Sequence, residues 1–206
     1  MKKHTIITIG RQFGSGGHEV GKRLADRLGI PLYDRNLIQM AAGRLGVSED
    51  QAEAADERLW GNIQAVSAEA VDYADYVRTM KEEKPLNDQI FEAQSELIRH
   101  LARRESCIIV GRCADYILEN EFPCINAFIY AEIRDRIARI MRLYNLNEEE
   151  AWEKIRKVDR ERKAYYEIHT GNSWGSIEAH QMLFNVSLLD MADVVGVLAA
   201  MYRANR

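Results

Sequence analysis

Residues 5–21 read Thr5-Ile6-Ile7-Thr8-Ile9-Gly10-Arg11-Gln12-Phe13-Gly14-Ser15-Gly16-Gly17-His18-Glu19-Val20-Gly21. A β-branched run from Thr5 to Ile9 without strict alternation predicts a strand covered on both faces, the central strand of a parallel sheet. A glycine-rich turn follows, and Val20, Leu24 and Leu28 then recur at helical spacing until Gly29 and Pro31 stop the helix. Strand, glycine turn and helix in that order make the geometry of a phosphate-binding loop. Backbone N–H groups of Gly14, Ser15, Gly16, Gly17 and His18, with the positive end of the helix, can cradle phosphate oxygens whatever the side chains are. The common pattern G-x-x-x-x-G-K-[ST] adds a lysine for the outer phosphates and a hydroxyl for magnesium. Here Gly17 and His18 occupy those two places.

Outward from this stretch, strands and helices alternate. Ile30–Tyr33 reads as a second strand and Cys107–Val110 as a third, delivered by a helix over Gln89–Arg103 whose apolar face carries Ile90, Phe91, Leu97, Ile98 and Leu101. Ala127–Tyr130 is a further strand, followed by a helix over Ile133–Tyr144 with four arginines, Arg134, Arg136, Arg139 and Arg142. Asn147 caps another helix through Glu148-Glu149-Glu150, Met182–Val186 is the last strand, and Val194–Tyr202 lies in a closing helix. This alternation predicts an α/β fold, a three-layer sandwich around a mainly parallel sheet. Residues 36–84 have no strand signal and read as a helical insertion. Leu59, Trp60, Ile63 and Val66 at helical spacing there can dock on the core or on a second copy, so a homodimer stays open.

Composition narrows the partners. A chain of 206 residues with 47% hydrophobic content can bury one main core. A net charge of −4 argues against a general nucleic-acid surface, so positive charge must act locally. Three cysteines, Cys107, Cys113 and Cys124, lack paired metal spacing and suggest reduced thiols. No stretch approaches the roughly 18 apolar residues of a membrane span, which leads us to expect a cytoplasmic protein without a membrane partner.

Several side chains can carry chemistry. Arg11, at the start of the loop, can fold back and present a bidentate guanidinium in place of the absent lysine. Ser15 is the nearest hydroxyl for phosphate or magnesium, or it holds the turn. His18 reads as an exposed polar residue or a base. Arg112 follows a buried strand and belongs at the carboxyl edge of the sheet, where ligands bind in open α/β folds, unless it pairs with Asp115. Arg156, Lys157, Arg160, Arg162 and Lys163, broken by Asp159 and Glu161, form either a solvated helix face or a lid whose arginines neutralise a transferred phosphoryl group. Tyr165, Tyr166 and Trp174 near Gly171 and Gly175 either pack that lid, stack on a base, or belong to the core.

Taken together, Gly10-Arg11-Gln12-Phe13-Gly14-Ser15-Gly16-Gly17, Tyr33-Asp34, Val110-Gly111-Arg112-Cys113-Ala114-Asp115-Tyr116-Ile117, Asp159-Arg160-Glu161-Arg162 with Tyr165-Tyr166, and Asn185-Val186-Ser187 resemble the cytidylate kinase-like family over nearly the whole chain. Ordinary cytidylate kinases carry Gly-Ser-Gly-Lys-Gly-Thr. Aligning on Gly14-Ser15-Gly16 sets Gly17 at lysine, His18 at the next glycine and Glu19 at threonine. The resemblance implies a P-loop core of the nucleoside-monophosphate-kinase type, an acceptor-binding helical region after Asp34 and a lid over 156–170. It also implies that Arg112 contacts the acceptor phosphate, that Arg160 and Arg162 are lid arginines, and that Asp34 orients the acceptor or a magnesium-bound water, unless it caps a helix. The implied activity is transfer of the γ-phosphoryl group of ATP, with Mg2+, to a nucleoside monophosphate, CMP or dCMP first. A regulatory nucleotide-binding module without turnover, and a kinase for another small acceptor, are the alternatives.

Overall fold

The computed structural model describes residues 4–34, 36–48, 50 and 86–205. Five strands form one sheet in the order β2-β3-β1-β4-β5: β1 (Ile6–Arg11), β2 (Leu32–Tyr33), β3 (Ile108–Val110), β4 (Cys124–Tyr130) and β5 (Met182–Asn185). Every pairing is parallel, so the expected mainly parallel sheet is wholly so among the described residues. β1 is central, with Ile9 beside Val110 on one side and Ala127 on the other. It runs two residues beyond the apolar run because Gly10 and Arg11 still pair with Phe128 and Ile129. Arg11 is therefore aimed by a strand and not by a loop.

The helices are α1 (Gly17–Leu28), α2 (Asn36–Leu45), α3 (Leu86–Arg104), α4 (Ala114–Leu118), α5 (Ile133–Tyr144), α6 (Glu148–Thr170) and α7 (Met191–Ala204). Side chains alternate across a strand. Ile7 and Ile9 of β1 and Ile125, Ala127 and Ile129 of β4 face α1 and α7, packing with Val20, Leu24, Val194, Leu198 and Tyr202 in the main core. Thr8 and Asn126 point to the opposite face, where the Thr8 hydroxyl donates to Asn126 Oδ1 at 2.8 Å. A smaller cluster of Ile140, Ala151 and Ile155, with Phe13 and Ile137, joins α5 to α6.

Among the described residues α6 is the longest helix, 23 residues, and its start is well fixed. Asn147 accepts from the Glu150 N–H while the Glu150 carboxylate accepts from the Asn147 N–H, a complete capping box. Gly171, at φ 70°, closes its other end.

The chain divides into two compact units, Met1–Asp34 with Ile98–Arg206, and Arg35–Leu97. In the second, Ile38, Ala42 and Ile90 pack with Leu45, Val47 and Leu86. α2 begins where the helical insertion is expected. The remainder of that insertion, with Leu59, Trp60, Ile63 and Val66, lies outside the described residues.

Candidate phosphate-binding edge

The carboxyl end of β1 opens into the glycine turn. Gly14 and Gly16 adopt φ of 79° and 86°, a conformation that favours glycine. Gly16 is the N-cap of α1 and offers no side chain to its first turn. The N–H groups there have no side-chain cap, as an anion cradle requires. Ser15 is fully buried, and its hydroxyl and N–H both donate to the Gln12 carbonyl, at 2.9 and 3.3 Å. Its hydroxyl thus holds the turn.

Arg11 takes a path that two glycines make possible. A Cβ at Gly17 would lie 2.5 Å from Arg11 Cβ and 3.0 Å from its Cγ, so the aliphatic stem fills the space beside the position where the common pattern has lysine. A Cβ at Gly111 would lie 1.9 Å from Arg11 Nη1. The guanidinium therefore crosses from β1 to the end of β3, where Nη2 donates to Asp34 Oδ1 at 3.2 Å. His18 Nδ1 stands 2.6 Å from the other oxygen of Asp34. Asp34, at the end of β2, is thereby held from two sides, and the exposed His18 is tied to it.

Arg112 follows Gly111 in a turn of unusual backbone. Gly111, Arg112 and Cys113 have φ of 76°, 58° and 53°, and the Ala114 N–H closes the turn onto the Gly111 carbonyl at 3.2 Å. Two successive non-glycine residues in the left-handed region are costly, and such conformations concentrate at functional sites. The Arg112 guanidinium lies 5.8 Å from the centre of the Tyr165 ring. Asp115 accepts from the Tyr166 hydroxyl at 2.6 Å on the sheet's second face.

α6 docks on the loop. The Phe13 N–H donates to Asp159 Oδ1 at 2.7 Å, Arg136 Nε donates to the Phe13 carbonyl at 2.8 Å, and Arg136 also pairs with Asp159. Arg162 Nη1 donates to the Arg11 carbonyl at 3.1 Å and its guanidinium lies over the Phe13 ring. Burial, with the nearby charges of Arg11 and Arg112, lowers the Arg162 pKa to about 9, against the raising influence of Asp159 and Asp34. Lys157 and Lys163 make the i,i+4 pairs of a solvated face, with Glu161 and Glu167, and Arg160 is exposed. One helix thus has a solvated side and a docked side.

Arg11, Arg112 and Arg162 consequently gather at one edge of the sheet with Asp34 and the open turn. Arg136 and Asp159 were not singled out from the sequence as loop supports. The i,i+3 spacing of Asp159 and Arg162, which sets them on one helix face, was the available signal. Trp174 packs edge-on against Phe128 with ring centres 5.3 Å apart, and Gly175 lies against the same ring. Both are partly buried against that ring.

Against known families, a model described as the cytidylate kinase-like family matches residues 6–188. Among solved structures, an uncharacterized protein from Eubacterium ventriosum is 26% identical, with a TM-score of 0.71 over 97% of this chain and 99% of that one. A shikimate kinase from Bacteroides thetaiotaomicron is 15% identical, with a TM-score of 0.50 over 97% and 98% of the two chains, which bears on the fold alone. No curated protein matches. Among the described residues, no helix is long and apolar enough to cross a membrane.

Proposed function

The chain belongs to the cytidylate kinase-like family, a kinase type with a P-loop fold, and from that premise we propose that it transfers the γ-phosphoryl group of ATP to a nucleoside monophosphate, CMP or dCMP first. The observation that carries this reading is the course of Arg11. Its stem fills the space at Gly17 and its guanidinium reaches Gly111, beside Asp34. In this reading the guanidinium, anchored beside Asp34, serves in place of the absent lysine, and its planar fork suits phosphate oxygens.

The triphosphate fits the edge. The N–H groups of Gly14–His18 take its oxygens, Arg11 and Arg162 neutralise charge that develops on the transferred group, and Arg112 holds the acceptor's phosphate. Phosphoryl transfer needs alignment and charge neutralisation more than covalent help, which is what fixed guanidiniums supply. Asp34 orients the acceptor, kept in place by Arg11 and His18. Mg2+, which commonly binds one or two carboxylates together with substrate phosphates, would sit by Asp34 and draw charge off those phosphates. The buried Ser15 hydroxyl makes a poorer ligand for it. Residues after Asp34 serve as the acceptor-binding region, and α6 over 156–170, with Arg162 on its docked side and Arg160 on its solvated side, serves as the lid.

The test is to incubate the protein with ATP, Mg2+ and each nucleoside monophosphate in turn and to measure diphosphates by chromatography. CDP formation that falls about 10²–10³-fold in Arg11→Ala, with folding intact, is expected, the usual loss for a missing charge-stabilising donor. Nucleotide binding without any diphosphate would instead favour a regulatory module or another acceptor.

A further inference from the structure

On the sheet's second face, away from the arginine edge, lies a cavity of about 440 Å³ that no part of the proposed reaction uses. Its lining includes Asp115, Asn126, Tyr166 and His180, with Glu119 and Glu178. None of the loop residues, and none of Arg11, Asp34, Arg112 or Arg162, is among them. Among the described residues that line it there is no arginine or lysine, and their charge is that of three carboxylates.

The polar groups in this lining are built and not merely surface decoration. Asp115 and Asn126 are each only 9% exposed, and His180 is 3% exposed. Asp115 Oδ2 accepts from Tyr166 and stands 3.8 Å from His180 Nε2, while His180 Nδ1 stands 3.2 Å from the Ser176 carbonyl. The His180 ring is wedged against Phe128, ring centres 5.0 Å apart. These contacts fix the carboxylate yet use only one of its oxygens. Asp115 Oδ1 has no hydrogen-bond partner among the described residues. Nor has the amide nitrogen of Asn126, whose oxygen is taken by Thr8. Neither atom is sealed off, so an acceptor and a donor carried by otherwise buried residues are presented to the cavity, where a ligand can take both.

We infer that this cavity binds a small, planar, non-phosphorylated amino-heterocycle in its neutral form, whose N–H group donates to Asp115 Oδ1 and whose ring nitrogen accepts from the Asn126 side-chain amide. Phosphorylated ligands are repelled by Asp115, Glu119 and Glu178. The volume suits a ligand of one or two rings and falls within the usual range of about 300–1,000 Å³ for small-molecule sites. The cavity shares elements with the arginine edge without touching it: Tyr166 lies one turn beyond Arg162 on α6, and Asp115 three residues beyond Arg112.

The test is heteronuclear NMR of the full chain at about pH 8, where 2-aminopyridine is neutral, with that compound as ligand and benzoate as a planar anionic control. Saturable shifts in the side-chain amides of Asn126 and Gln181 with 2-aminopyridine, and none with benzoate, are expected. Asp115→Asn keeps the shape of the site and should weaken binding at least about tenfold, as expected when a charge-assisted hydrogen bond is lost. Glu178→Gln, at the exposed rim, should weaken it about two- to threefold and decides the matter if the first variant fails to fold. The proposal is overturned by the lack of a saturable shift, by equal shifts with benzoate, or by unchanged affinity in the folded variants.

Discussion

The two faces of the sheet are made from alternate residues of the same strands, yet they differ in kind. On one face Ile7, Ile9, Ile125, Ala127 and Ile129 meet α1 and α7 in a mostly aliphatic core, with Tyr202 buried in it and Phe184 packed at its side. On the other, Ile6, Ile109 and Phe128 are buried as well, but Thr8, Asn126, Asp115, Tyr166 and His180 set buried polar groups among them, continued toward the arginine edge by α6. Apolar burial stabilises without direction, at about 25 cal/mol per Å². Buried polar groups contribute only while every partner is in place. The difference teaches that the aliphatic face holds the sheet together, while the polar face holds particular side chains in particular places. Stability and site geometry should therefore fail separately when each is disturbed.

The largest separation is expected from Leu198→Ala, a fully buried residue of the aliphatic core. The lost contacts and the cavity left behind should cost about 2–5 kcal/mol. Chemical denaturation should show a lower midpoint at unchanged slope, while nucleotide affinity well below the transition stays as it was. A loss of affinity equal to the loss of stability would mean that the two faces act as one. Tyr166→Phe disturbs the other face with little change of volume. It removes a buried donor from the Asp115 carboxylate and should cost about 1.5–3 kcal/mol, the range for hydrogen bonds to charged groups. A cost under about 0.5 kcal/mol would show that Asp115 finds a substitute partner and that the polar layer is loose.

The aliphatic face was the more legible in the sequence. Buried parallel strands appear as short apolar runs whatever surrounds them, so Thr5–Ile9 and Cys107–Val110 marked β1 and β3 within a residue or two. The glycine turn was equally plain, because the φ values of Gly14 and Gly16 suit few other residues. The course of Arg11 was not. That arginine could fold back was readable, but the room it needs comes from Gly17 and Gly111, ninety-four positions apart, which meet only because β1 pairs with β3. Asp115 posed the same difficulty. Its neighbour along the chain, Arg112, was the natural partner to expect, whereas Tyr166 and His180 reach it through long-range packing that periodicity does not encode. Likewise the charge run over 156–163 resolved into a docked and a solvated side only once Phe13 N–H met Asp159.

Arg162 offers the finest test, because it belongs to the polar face and has a folded pKa lowered to about 9 by burial first and by the charges of Arg11 and Arg112 after it. The sign follows from the direction of that shift. In the unfolded chain an arginine stays charged to above pH 12. Between about pH 9 and that limit the unfolded state holds the extra proton, so this group's contribution to stability rises with pH and does not fall. Anion binding runs the other way. A phosphate beside Arg162 favours its charged form, so below pH 9 binding takes up no proton at this site, whereas above it each binding event must. Nucleotide affinity should then weaken toward tenfold per pH unit, about 1.4 kcal/mol, as pH climbs past 9. Over the same range, stability should show no matching loss from this group. Isothermal titration between pH 7.5 and 10 in buffers of different ionisation enthalpy reads both the affinity and the proton uptake. In Arg162→Ala, affinity should be lower throughout and lack this component above pH 9. Proton uptake that persists in the variant would place the titrating group elsewhere and detach Arg162 from the phosphate site.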